Sequence, residues 1–380
     1  MRSIRLNMLM KLVSSSRSSG QAIGKIVPLC LITALLYAPA TLAGQTPQPP
    51  LNSTTSSLMS TTTTSTSAST STSISTSTST TSKTTPRQST NRPKIGLALG
   101  GGGARGAAHV GVLRVLEREG IHVDMIAGTS IGAIVGGLYC AGLTVDQIES
   151  QFSKPRLMKS YMTAPIWLSV AARAIFILPR LVGWRPYDGF YFGNKFRNYF
   201  RSCLPKDRHN IEDLKMPFRA MTTNLVDGQL FVIDHGDLSR AVQASSAIPV
   251  LRRPVGLSEE QVLVDGAVLN NVPVDEVKKM GADIVIAVSV SEHLETIPGK
   301  NFRKLGSVGR RLEQVFLSHT DAEQMTHADL IIHPRTDNIG ILSTDSRDAT
   351  RGIKAGEDAA IETMPAIKQK IQAFETASAH

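Results

Sequence analysis

Ser130, Asp265 and the glycines from Gly101 to Gly103 are the residues of this sequence best suited to covalent chemistry, because each stands where the chain turns. Ser130 lies in Gly128-Thr129-Ser130-Ile131-Gly132, a G-x-S-x-G between an apolar run and an apolar helical segment. Glycines around such a serine remove side chains that would clash as its hydroxyl is pushed into the open, the arrangement of a nucleophile elbow. The blander alternative is a helix N-cap, a task serine often performs. Gly101-Gly102-Gly103-Ala104-Arg105-Gly106 follows another apolar run, and its backbone N–H groups can turn towards an anion. Asp265 follows Val262-Leu263-Val264 and opens Asp265-Gly266-Ala267. Asp-Gly is a common turn, yet here it leaves a carboxylate at a strand end, where α/β sites collect.

Gly101, Gly103 and Gly106 also fit G-x-G-x-x-G, the dinucleotide fingerprint. The next strand speaks against it, since that strand runs into the serine turn and not into a ribose-binding carboxylate, and Asp124 stands at its wrong end. A nucleotide P-loop does not fit either: Ala107 and Ala108 follow Gly106 where Lys and Ser or Thr are required.

The elements that position these motifs can be read from periodicity. Lys94 to Leu99 reads as a short buried strand, with further apolar runs at Val123 to Ala127, Phe218 to Thr222, Leu230 to Ile233, Val262 to Val264, Ile284 to Val290 and Leu330 to Ile332. Helical segments alternate with them. One follows Gly106, places Val112, Leu113 and Leu116 at helical spacing and ends at Gly120; another runs from Ile131 to Ala141 and stops at Gly142. Such alternation predicts an α/β fold, a mainly parallel sheet sandwiched by helices.

Taken together, the motifs resemble the patatin-like phospholipase family, and look most similar to its bacterial branch related to neuropathy target esterase. The resemblance covers roughly residues 94 to 290. It rests on the glycine loop with Arg105, the helix Gly106-Ala107-Ala108-His109-Val110-Gly111-Val112-Leu113 and the Ser130 elbow. It also includes Ala244-Ser245-Ser246-Ala247-Ile248-Pro249, and Asp265-Gly266-Ala267 followed by Asn270-Asn271-Val272-Pro273. The resemblance implies a three-layer α/β fold and hydrolysis of lipid acyl esters by a Ser130–Asp265 dyad, without metal or cofactor. It also implies an oxyanion hole from Gly101, Gly102 and Gly103, which Arg105 would assist unless it binds phosphate. Gly106, Gly128, Gly132 and Gly266 are its motif glycines. The rival catalytic arrangement is a Ser–His–Asp triad drawing on His293, His319, His327 or His333, all downstream of Asp265.

Residues 1–43 read as a leader: Arg2, Arg5, Lys11, Arg17 and Lys25 precede the apolar run Ile26 to Leu36, followed by small residues suited to cleavage. An uncleaved anchor is the alternative; either way an exported protein is expected, periplasmic or secreted. Residues 44–93, almost wholly Ser and Thr from Asn52 to Thr90, read as a disordered tether. Residues 94–290 are the expected catalytic domain, and 291–380 its continuation in one globular unit. Cys30, Cys140 and Cys203 lie too far apart for a metal knuckle, which leaves Cys140 and Cys203 as one bridge or two buried thiols.

The net charge of +10 favours anionic partners. Nucleic acid is set aside, since there is no zinc-finger spacing, aromatic RNA-binding signature or basic heptad helix. An anionic membrane surface is the expected partner beside the lipid ester itself. Between Ser150 and Tyr187 there is no Asp or Glu, while Lys154, Arg156, Lys159, Arg173, Arg180 and Arg185 stand among Tyr161, Met162, Trp167, Phe176 and Trp184. That mixture suits an interfacial lid, or a core helix with solvated basic ends.

Overall fold

The computed structural model describes residues 92–154, 156–162, 189, 191–303 and 307–378. The leader, the Ser/Thr tether up to residue 91 and most of the cationic stretch between Ser150 and Tyr187 lie outside the described residues.

Eight strands form one sheet: β1 (Ile95–Leu99), β2 (Met125–Thr129), β3 (Phe218–Asn224), β4 (Leu230–Ile233), β5 (Val255–Ser258), β6 (Gln261–Asp265), β7 (Ile284–Val288) and β8 (Leu330–Ile332). The order is β5-β6-β3-β2-β1-β7-β8, with β4 also paired to β3. β3, β2, β1, β7 and β8 run parallel. β4 and β6 run antiparallel to β3, and β5 antiparallel to β6. β1, β2 and β7 are buried at every position, as central parallel strands covered on both faces must be.

Strand alternation divides the core into two apolar clusters, one for each face. Leu97, Leu99, Ile126, Ile286 and Val288 join the cluster of α1 (Ala107–Arg118), α2 (Ile131–Cys140) and α6 (Leu238–Ser245). Ala98, Met125, Ala127, Val285 and Ala287 meet Val274 and Val277 of α7 (Val274–Lys279) on the other face. Helix, sheet, helix is the resulting three-layer α/β arrangement.

The remaining helices extend these layers. α3 (Val145–Ser153) begins with a capping box between Thr144 and Gln147. α4 (Arg156–Tyr161) and α5 (Asn194–Cys203) pack on one another. α8 (Ser307–Thr326) lies against α7, and the long α9 (Ser346–Ser378) runs along α1, to which Glu357 ties Arg114 at 2.8 Å. Cys140 is buried and Cys203 half-buried, and both are free thiols. Among the described residues, no helix is long and apolar enough to cross a membrane.

Candidate active site

The parallel core of the sheet brings the three motifs together at the carboxyl ends of its strands. β1 pairs residue for residue with β2 through Leu99 opposite Gly128, so the glycine loop and the serine turn leave adjacent strands at one level. Asp265, last in β6, pairs with Thr222 of β3, the other neighbour of β2.

Ser130 has φ 53° and ψ −118°, a left-handed conformation that a side chain disfavours and that marks a strained elbow. Its side chain caps no helix N–H, which disposes of the N-cap alternative. The strained turn needs helix α2 to approach β1 closely, and Gly132 permits this: a Cβ there would lie 2.1 Å from the Leu99 carbonyl oxygen. Gly106, Gly128 and Gly266 occupy similar close contacts against Ile131, Ala133 and Met221.

Ser130 is 6% exposed and Asp265 3% exposed. Burial pushes the Asp265 carboxyl up from 3.8 to about 6, and three groups oppose that rise: the Ala267 N–H, the hydrogen-bonding Ser130 side chain and the charge of Arg252. The Ala267 bond measures 3.0 Å. Ser130 and Asp265 thus both lie in a site largely closed to water. The Ser130 N–H donates to Ser245 Oγ at 3.0 Å, and Thr129 Oγ1 to the Asn270 carbonyl at 3.0 Å.

The glycine loop divides into engaged and free donors. Gly101 N–H is taken by Asn271, 3.1 Å from Oδ1 and 3.4 Å from the backbone oxygen, so it is not free for an oxyanion. Among the described residues the N–H groups of Gly102 and Gly103 have no partner. Gly103 has φ +59°, and a Cβ there would stand 2.1 Å from the Ile341 carbonyl oxygen. That carbonyl accepts from Ala104 N–H at 2.8 Å, so residues 339–341 strap the loop from outside.

Arg105 requires a correction. Its guanidinium is 1% exposed and turned into a buried ion cluster, 2.8 Å from Glu292 Oε1 and 3.1 Å from Glu313 Oε1, while Nε donates to the Ile339 carbonyl at 2.9 Å. Each nitrogen of the fork has a partner in this cluster, and its charge is met there by two carboxylates instead of being turned to an oxyanion or phosphate. It anchors the loop.

His109, fully buried beneath the loop, bonds Gly100 O through Nε2 at 2.8 Å, and burial lowers its pKa to about 4, so the ring is neutral at pH 7. The other histidines also work elsewhere. His293 stacks on His333, whose Nε2 bonds Ser291 O, and His327 bonds Asp275. Among the described residues no histidine, His319 included, is bonded to Ser130 or Asp265.

Sequence reasoning overlooked four supporting groups. Asn271 is itself held by Asp321, which also accepts from Ser289 and Ser291. Ser245 and Asn271 stood inside quoted motifs, so their position was a signal; Asp321 and Arg252 carried none.

The family model of the patatin-like phospholipases matches residues 97–278. Residues 97–278 are thus a patatin-like phospholipase domain. Lysophospholipase NTE1 of Scheffersomyces stipitis is 34% identical over 204 residues, 54% of this chain but 12% of that protein. Patatin-like phospholipase domain-containing protein 7 of Rattus norvegicus is 36% identical over 204 residues, 53% of this chain and 14% of that protein. The chain thus spans a small part of the curated relatives it matches. Among solved structures, VipD from Legionella pneumophila is similar over 72% of this chain and 67% of its own, with 16% identity and a TM-score of 0.41. Glu292, Glu313, Asp321 and the 339–341 strap lie beyond the segment matched to the patatin-like family, yet they hold its glycine loop.

Proposed function

We propose that this chain hydrolyses acyl esters of lipids, phospholipids or lysophospholipids, with Ser130 as nucleophile and Asp265 as its base. The observation that carries the reading is that a serine in a strained elbow at the end of β2 and a buried carboxyl, raised to about 6, at the end of β6 stand at one level on either side of β3. A carboxylate at its ordinary value is a feeble base at neutral pH; one near 6 is still ionised at pH 7 and better matched to the serine proton. Asp265 takes that proton as Ser130 Oγ attacks the ester carbonyl. The tetrahedral oxyanion is received by the free N–H groups of Gly102 and Gly103. Protonation of the leaving alkoxide by Asp265 releases the alcohol and leaves an acyl-serine. Water, giving its proton to Asp265, then attacks, and collapse frees the fatty acid and restores Ser130.

A positioned base contributes about 10²–10⁴-fold, and each oxyanion donor about 10²–10³-fold, so a dyad with two backbone donors suffices for useful rates. Lysophospholipase and phospholipase in the relatives' names support the lipid class. The charge of +10 supports work at an anionic membrane surface. The deciding experiment is lipid profiling of wild type beside Ser130→Ala. Fatty acid released by wild type and lost in the variant supports the proposal; equal profiles from both end it.

A further inference from the structure

Two residues with buried ionisable side chains, Arg252 and Asp265, bond to the backbone between α6 and β5. Asp265 donates its backbone N–H to the Ala247 carbonyl at 3.0 Å, and Arg252 donates its own to the Ile248 carbonyl at 2.9 Å. The Arg252 guanidinium is pressed between two rings, its Cζ 4.2 Å from the Tyr161 centroid and 4.8 Å from that of Phe196. Tyr161 belongs to the same cluster, for its hydroxyl donates to the Ser246 carbonyl at 2.6 Å. The consecutive carbonyls of Ser246, Ala247 and Ile248 thus accept from Tyr161, Asp265 and Arg252 in turn, which gathers the three residues around one short stretch of backbone.

Arg252 is 1% exposed, as deeply buried as Arg105, but its situation is the reverse. Arg105 has two glutamates and a carbonyl; Nη1 and Nη2 of Arg252 have no hydrogen-bond partner among the described residues. A buried cation without a counter-charge is costly, and ring faces offset only part of that cost. Gln243, whose Oε1 is also buried and unpaired, approaches Nη2 beside Gly193. Turning its amide over would give Nη2 a neutral acceptor, but it would bring no negative charge and leave Nη1 bare. The carboxylate whose charge Arg252 feels is Asp265, and Asp265 in turn feels Arg252.

We propose that Arg252 is a positioning residue for Asp265: its guanidinium, fixed between two rings with no carboxylate bonded to it among the described residues, supplies the positive field that keeps the Asp265 carboxylate ready for the Ser130 proton. The catalytic half of this statement rests on the function proposed above; the charge coupling does not. The groups acting on the carboxylate are Ser130 from the elbow, Arg252 from the connection to β5 and the Ala267 N–H from the turn after β6; Tyr161 of α4 also interacts with it electrostatically. Only Arg252 among them is a cation. Its field is little screened, because the guanidinium is held between two rings away from water.

The sign follows directly. Burial raises the Asp265 pKa and Arg252 restrains the rise, so removing Arg252 must raise it further. In Arg252→Met the acid limb of the kcat/KM profile for a soluble short-chain ester should move upward by about one pH unit, a tenfold lower rate on the acid side that recovers by pH 9. Arg252→Lys, which keeps the charge, should hold the limb near its wild-type place. A merely structural role would lower the whole profile without moving it, and that outcome overturns the proposal. A second readout needs no catalysis: urea midpoints at pH 8 for Arg252→Met, Asp265→Asn and the double variant. Asp265→Asn should favour stability more in the Arg252→Met background, where the buried carboxylate has lost its cation, than in the wild type. Additive effects refute the coupling even if the chain proves to be no esterase. Should Arg252→Met not fold, Arg252→Gln carries both measurements.

Discussion

Replacing Arg105 by Met separates two roles for the same residue. Sequence reasoning put Arg105 at the oxyanion, whereas the structure puts its guanidinium between Glu292 and Glu313 and on the Ile339 carbonyl. Removing one partner of a buried ion pair costs about 3–5 kcal/mol, because the other charge is left stranded. Here the stranding is partial. Glu292 keeps Arg310 at 3.1 Å and the amide of Gln314, and Glu313, 19% exposed, has some access to water. The Ile339 carbonyl loses its donor, worth about 1 kcal/mol. The loss should therefore fall near the lower end, about 3 kcal/mol. With a urea slope of about 3 kcal/mol per molar for a domain of this size, the midpoint should drop by about 1 M. Equilibrium unfolding followed by far-UV circular dichroism reads this directly. Arg105→Met with Glu313→Gln should recover part of the loss, since Glu313, whose ion pair is with Arg105, is then no longer left as an unpaired charge. An unchanged midpoint together with a hundredfold drop in kcat would restore Arg105 to the oxyanion hole and refute the assignment.

Two further outcomes follow from the site. Gly132→Ala would set a Cβ 2.1 Å from the Leu99 carbonyl, so α2 must retreat from β1; a stability loss of about 1–3 kcal/mol is expected, and a fall in fluorophosphonate labelling of Ser130 larger than the fraction unfolded. The kcat/KM of the wild type should fall below about pH 6, tenfold per unit, as Asp265 takes a proton. The sign for stability is opposite. Because the folded pKa lies above the ordinary 3.8, the native state binds the extra proton, and the contribution of this group grows as pH falls through that window. A flat rate profile between pH 5 and 8, flagged at about those limits by the raised carboxyl, would contradict the assignment of Asp265 as base.

What could be read from the sequence was local, and what could not was set by distant partners. The helix ends at Gly120 and Gly142 were legible because both glycines are left-handed, φ +71° and +88°, a conformation their neighbours avoid. β1, β4 and β8 stand within a residue of the apolar runs that announced them. β2 lies two residues later than its apolar run suggested. Asp124 is drawn off to cap Ile95 N–H and pair with Arg92, while Gly128 and Thr129 are held in the strand by β1 and β3 despite weak strand propensity. β5, a short edge strand ending at an irregular register, carried no alternation long enough to notice.

The same division holds at the site. The elbow, the glycine loop and Asp265 announce themselves through turn chemistry within a few residues. The partners that decide which loop N–H is free and which arginine is bound come from residues 271, 292, 313, 321 and 341, and no local pattern connects them. Arg105 looked functional because it stood in the motif; only its distant glutamates show that it is an anchor.

The central claim is that the Asp265 carboxylate, and no histidine, activates Ser130. Fatty acid release from a lysophospholipid by Asp265→Asn, beside alanine variants of His293, His319, His327 and His333, tests it most directly. Turnover should fall by about 10²–10⁴-fold in Asp265→Asn and stay within a few-fold of wild type in every histidine variant. Retained turnover in Asp265→Asn, with its loss at any one of those histidines, would contradict the account.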